Sequence, residues 1–182
     1  PALAVTSHVE EADDLLQCIP LGTPLGLDAE WKVNFGSGVI SKTALLQICS
    51  PTLIVIIQCR RMKNLPRRLV ELLQDPGTIK TGVAVVADCR RLQRDFKVTA
   101  QGILELGSLA KSVDAERWSS NNGLIGLSTL CRIYLDRRLV KGPVRTSDWE
   151  GPLSKQQIDY AASDAFVALE ILGKLCSLTS QS

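Results

Sequence analysis

An α/β domain built on a mixed sheet is what this sequence predicts, on three observations. Apolar, β-branched runs come first, over 25–31, 43–49 and 53–58, separated by turn residues. Strand-like and helix-like runs then alternate through the middle of the chain. The chain closes on a long run with an apolar stripe of helical spacing. Three consecutive strands make the first part of the sheet antiparallel, with helices flanking it. At 182 residues, one domain over 1–182 is expected, large enough to bury about 70% of its unfolded-chain surface.

Each element follows from local pattern. Residues 1–20 hold His8 and an acidic patch (Glu10, Glu11, Asp13, Asp14) before Leu15 and Leu16, and read as a short amphipathic helix closing against the fold. The run 25–31, Leu-Gly-Leu-Asp-Ala-Glu-Trp, is the first strand. A loop over 34–38 leads to a hairpin of 43–49 and 53–58 around Ser50-Pro51-Thr52. Pro66 opens a helix through Gln74, because proline suits a first helical position. Asp75-Pro76-Gly77 ends it. The run 79–86 is continuous and apolar, as in a strand covered on both faces, and it delivers Asp88 to a basic helix over 90–95. A strand over 102–106, a helix over 108–113, a loop at 121–123 and a helix over 124–135 follow. Residues 136–153 form an irregular basic loop around Trp149. Ser154 with Gln157 makes a capping box. Behind it Ile158, Ala162, Ala165, Leu169, Leu172 and Cys176 mark the buried stripe of the last helix.

Bulk properties exclude several classes. With 45% apolar and 22% charged residues, the composition is that of a soluble globular protein. No apolar run approaches the ~18 residues of a membrane span. The net charge of +2 does not by itself point to nucleic acid. Arginine pairs at 60–61, 67–68, 90–91 and 137–138 have the chemistry for phosphate contacts, though solvated helix faces and loops account for most such pairs. Six scattered cysteines and a single histidine offer no zinc spacing and fit a reduced, intracellular protein, nuclear or cytoplasmic. A chain that begins at Pro1 reads as an excised or processed segment, so an organelle remains open.

The chemistry centres on Asp28 and Glu30. On a strand they share one face, about 6.6 Å apart by strand rise, while Leu27, Ala29 and Trp31 take the other. Buried carboxylates need a positive partner, and a hard divalent cation prefers carboxylate oxygens; acids at a strand end facing solvent are the alternative. Asp88 and Asp164 are two further acids that a fold can bring to the same place, and Tyr160 lies one helical turn before Asp164. Pairs of divalent ions held by several carboxylates drive in-line displacement at phosphorus. His8 is the only imidazole and lies in a peripheral segment, so a nucleophilic triad has no base. Nor is there a glycine-rich phosphate loop.

Gly-Leu-Asp-Ala-Glu-Trp, then Lys80 to Asp88 with Leu92, then Leu153 to Ala165 resemble, in order, the three motifs of the DEDD family of 3′–5′ exonucleases. The third motif, Tyr160-x-x-x-Asp164, resembles the tyrosine subgroup, typified by the Werner-syndrome exonuclease domain and similar to exonuclease 3′–5′ domain-containing protein 2; the sister subgroup carries histidine there. Leu45-Leu46-Gln47, Gly126-Leu127 and Ser147-x-Trp149 extend the resemblance over about residues 22–176. It implies a ribonuclease-H-like fold, two Mg²⁺ or Mn²⁺ ions, and stepwise release of nucleoside 5′-monophosphates from DNA or RNA with a free 3′ end. Asp28, Glu30 and Asp164 would hold the first ion and Asp28 would bridge to the second, with Asp88 acting largely through water. Tyr160 would orient the attacking water. Ala29, Trp31, Lys141, Arg145 and Trp149 are the expected substrate contacts. Trp31 reads more readily as core, Trp149 equally well as a core lid, and Asp159 falls on another helix face as a surface acid.

Two departures bear on substrate handling. Cys89 and Arg90 stand where the Werner-like pattern carries an aromatic, and Glu105 stands where relatives commonly have Asp before Leu. A catalytically silent nucleic-acid-binding or scaffolding module on the same fold is the alternative function.

Overall fold

A computed structural model describes residues 1–33, 41–140 and 142–179; the loop expected over 34–38 and Lys141 lie outside them. The chain begins with β1 (Ala2–Thr6), α1 (Val9–Gln17), β2 (Leu25–Glu30), β3 (Leu45–Cys49) and β4 (Leu53–Gln58). Then come α2 (Arg67–Gln74), β5 (Lys80–Gly82), α3 (Val85–Phe96), β6 (Ile103–Glu105), α4 (Leu106–Val113) and α5 (Ala115–Trp118). It ends with α6 (Leu127–Leu135), a 3₁₀ turn (Pro143–Thr146) and the 25-residue α7 (Lys155–Thr179).

The six strands form one mixed sheet in the order β1-β4-β3-β2-β5-β6. As expected, β2, β3 and β4 pair antiparallel, with Asp28 opposite Gln47. β1, β5 and β6 join in parallel. The expected α/β class with flanking helices is the one observed. One face of the sheet packs on α1, α2 and α3 through Leu16, Leu27, Ile48, Val55, Leu69 and Leu92. The other face, with Leu45, Cys49 and Ile56, packs on Ala161, Ala162 and Ala165 of α7 and on Trp149. The far side of α7 packs on α4, α5 and α6.

The structure corrects several boundaries. A strand precedes the expected first helix, running parallel to β4 with Ala2 opposite Leu53. Its residues are mostly exposed, because edge strands face one neighbour only, and the alternation that marks a half-buried strand is weak there. The apolar run over 79–86 is a three-residue strand and then the start of α3, not one strand. An apolar run alone does not separate a buried strand from a buried helix; here Ala84 at φ 60° takes the left-handed conformation and divides them. Lys80 in that strand is fully buried. Its amine caps α2, donating to the carbonyls of Leu72 at 3.0 Å and Asp75 at 2.8 Å. The helix expected from 124 begins at Leu127, with Leu124 left exposed.

The predicted capping box of α7 forms reciprocally: the Ser154 N–H donates to Gln157 Oε1 at 2.9 Å, and the Gln157 N–H to Ser154 Oγ at 3.2 Å. The single stripe predicted behind it is too narrow. Ala161, Ala168, Ile171 and Leu175 are buried as well, and Cys176 is exposed, because a helix sandwiched between a sheet and other helices buries two faces.

Candidate active site

Gly26 sets the geometry. A Cβ there would lie 1.9 Å from the carbonyl oxygen of Ala165, so only glycine lets α7 rest directly on β2. That close approach, two residues from Asp28 on the strand and one from Asp164 on the helix, brings Asp164 to Asp28. One carboxylate oxygen each from Asp28, Glu30 and Asp164 lie within 4.8 Å of one another. Asp28 and Glu30 share the α7 face of β2 by strand alternation, while Ala29 turns its side chain into the opposite core.

Asp88 comes from the other layer, in the first turn of α3, where the helix dipole favours an acid. It lines the same cleft as Asp28, Glu30, Trp31, Tyr160 and Asp164 but stands apart from the three converging oxygens. A larger cavity of about 630 Å³ opens beside Asp28, Tyr160 and Asp164, walled by Val83, Leu127 and Leu139.

The electrostatics are those of crowded acids. Burial, then the charges of Asp88, Glu30 and Asp164, push Asp28 well above the usual carboxylate range. Burial, then Asp164 and Asp88, push Glu30 up to about 8 against a smaller pull from Arg145. Burial pushes Asp88 up to about 7, with Arg91 opposing and Glu105 adding to the rise. Three oxygen donors without nitrogen or sulfur suit a hard divalent cation, and a cation removes the repulsion these acids share. Gln47 fits as well. It lies directly across from Asp28, fully buried, with neither amide atom hydrogen-bonded among the described residues.

Tyr160 is half-buried and hydrogen-bonds Asp164. Burial, then Asp164 and Glu30, drive its phenol further above its ordinary value. Its ring packs on Trp149 with centroids 6.0 Å apart. Trp149, expected among the substrate contacts, is instead fully buried, and its indole N–H donates to the Arg145 carbonyl at 3.3 Å. A large aromatic in the core has no face left for a base. It steadies Tyr160 and Arg145. Gln157 adds a second tie, its amide donating to Ser147 Oγ at 2.9 Å and to the Asp148 carbonyl at 3.0 Å.

Arg145 is exposed at the cleft wall. Trp31 is half-buried there, with the Arg91 guanidinium stacked on one ring face at 3.6 Å from the centroid. Lys141 is outside the described residues. Asp159 is a surface acid paired with Lys155. Periodicity does not rank Gln47, Arg91 or Glu105; only the family resemblance marks Gln47, as a flanking residue, and Glu105, as a departure.

A family model described as 3′–5′ exonuclease matches residues 5–179. A 3′–5′ exonuclease of Arabidopsis thaliana is 32% identical over 149 residues, covering 79% of this chain and 49% of that one. Mouse bifunctional 3′–5′ exonuclease/ATP-dependent helicase WRN is 32% identical over 172 residues, covering 92% of this chain and 12% of that protein. Drosophila melanogaster exonuclease 3′–5′ domain-containing protein 2 is 36% identical over 155 residues, covering 84% and 25%. The chain thus spans about half the length, or less, of these relatives. Among solved structures, the catalytic core of Trypanosoma brucei RRP6 superposes with a TM-score of 0.80 at 19% identity over 98% of this chain and 49% of that one. Brucella melitensis NrnC with bound Mg²⁺ superposes at 0.75 and 19% identity over 99% and 82%.

Proposed function

The chain belongs to the 3′–5′ exonuclease family, and we propose that it is a metal-dependent enzyme that shortens DNA or RNA from a free 3′ end, releasing nucleoside 5′-monophosphates. The observation that carries this is the meeting of Asp28, Glu30 and Asp164 from two elements remote in sequence, beside a cleft and a tyrosine. Residues 22–176 form the catalytic unit in this reading, of the tyrosine subgroup.

Asp28, Glu30 and Asp164 would hold one divalent cation, Mg²⁺ or Mn²⁺, and Asp28 with Asp88 a second. Mg²⁺ in NrnC, a protein of the same fold, supports the choice of metal. Such ions lower the pKa of water and neutralise charge on phosphoryl oxygens. The protein groups do the rest. Tyr160 stays protonated, since burial and nearby acids raise its phenol, so it serves as a hydrogen-bonding group that orients water and not as a base. Arg145, on the cleft wall, faces the phosphate backbone. Val83, Leu127 and Leu139 give the nucleobase an apolar wall.

Incubation of the chain with a 3′-overhang oligonucleotide, labelled at its 5′ end, and Mn²⁺ tests this. A ladder of products shortened one nucleotide at a time is expected. Intact oligonucleotide despite measurable binding would place the chain with silent binding modules instead. Tyr160→Phe removes one oriented hydrogen bond and keeps the ring on Trp149, so turnover is expected to fall about 10-fold. A rate equal to that of the unaltered chain would take Tyr160 out of the mechanism.

A further inference from the structure

We propose that Glu105 is a positioning residue for Asp88, acting through the backbone of Ala84; the proposal rests on the reading that Asp88 helps hold a cation. Three observations join these residues. Ala84 lies between β5 and α3 at φ 60°, ψ 20°, a conformation that costs any residue with a Cβ. Its N–H donates to Glu105 Oε1 at 2.9 Å. Its carbonyl accepts the N–H groups of Ala87 at 2.8 Å and Asp88 at 3.3 Å. The two peptide units flanking the Ala84 Cα are therefore tied at both ends: Glu105 holds the N–H of the first, and the carbonyl of the second holds the backbone of Asp88.

Position explains why this acid can do it. Glu105 ends β6 opposite Gly82 in the parallel pair, two residues before Ala84, and its long side chain spans that offset. Strained backbone at a cleft persists only where its surroundings hold it. Ala84 faces the cleft beside Asp28 and Asp88, and the Glu105 carboxylate is the side chain that bonds its N–H. Without that bond the junction relaxes towards an ordinary conformation, and the first turn of α3 rotates Asp88 away from Asp28. The Glu105 charge also reaches Asp88, but the hydrogen bond is the positioning contact.

Mn²⁺ binding to metal-free protein, followed by the loss of the free-ion EPR signal, tests this without turnover. Glu105→Ala is expected to weaken the ion that depends on Asp88 by about 10-fold, the scale of outer-shell losses, and to spare the other. Glu105→Gln keeps an oxygen acceptor at the same reach and is expected to bind within about 3-fold of the unaltered chain. Ala84→Gly, added to Glu105→Ala, removes the steric cost of the left-handed turn and is expected to restore affinity. That pair also supplies a folded variant should Glu105→Ala not fold. A role in stability alone would lower the melting temperature and leave the Mn²⁺ affinity of folded protein unchanged, which would overturn the proposal. Equal losses in Glu105→Gln and Glu105→Ala would overturn it too, by assigning the effect to charge. Asp88→Asn separates the premise: if it binds as many ions as the unaltered chain, the cation reading of Asp88 falls and this proposal with it. If it loses an ion while Glu105→Ala binds normally, only the proposal falls.

Discussion

Asp28→Ala is expected to reduce turnover by at least about 10³-fold while raising the melting temperature of the metal-free chain at pH 8. The two effects have one cause. Asp28 feels the charges of the other three acids together, its pKa raised by burial and by Asp88, Glu30 and Asp164. In the proposed mechanism it alone belongs to both cation sites, so its loss removes an oxygen from each. In the metal-free chain the same buried carboxylate is repelled by all three neighbouring acids, and its removal takes away that unfavourable burial and repulsion. Alanine at 28 leaves the strand pairing with Gln47 intact, since that pairing is backbone to backbone. Product ladders over a time course, with calorimetry in EDTA, measure both. A variant that is inactive because it is unfolded contradicts the second half; one that keeps a tenth of the activity contradicts the first.

Much of this site was readable from spacing, and the misses have physical causes. The i, i+2 pair in the first strand motif and the i, i+4 pair of Tyr160 and Asp164 needed only the periods of strand and helix. The cap of α7 needed only side-chain donors and acceptors at a fixed offset. Packing decided the rest. Whether Trp149 faces solvent or core depends on α7 and the 143–146 turn closing over it, and nothing local records that. The end of β5 depends on a backbone angle at Ala84, a residue with no preference for it. Gln47 looks like any strand glutamine until pairing places it opposite Asp28. Asp88 was expected past a strand end and proves to lie inside a helix, yet it reaches the same cleft, because strand β5 and helix α3 share that junction.

The metal-free chain is expected to lose stability as pH rises from about 5 to 8, the reverse of the usual acid response. The sign follows from proton counts. Unfolded carboxyls titrate near 4, whereas folded Glu30 and Asp88 titrate at about 8 and about 7, with Asp28 raised as well. Between those limits the folded state carries the extra protons, so stability is full below about 4 and declines through the folded values. Each such group contributes a slope of up to about 1.4 kcal/mol per pH unit. Acids with lowered pKa, Asp75, Asp95 and Asp148, complete their titration below this window. Lys80, pulled to about 8 by burial, acts in the opposite sense, and only above it. Saturating Mg²⁺ or Mn²⁺ requires deprotonated carboxylates, so its stabilisation grows over the same range and should flatten the decline. Calorimetry in EDTA at pH 5, 6, 7 and 8, repeated with metal and with Glu30→Gln, separates the contributions. The variant should show a shallower slope. A metal-free profile that rises with pH would mean these acids do not crowd one another in solution, and the cation site would lose its electrostatic basis.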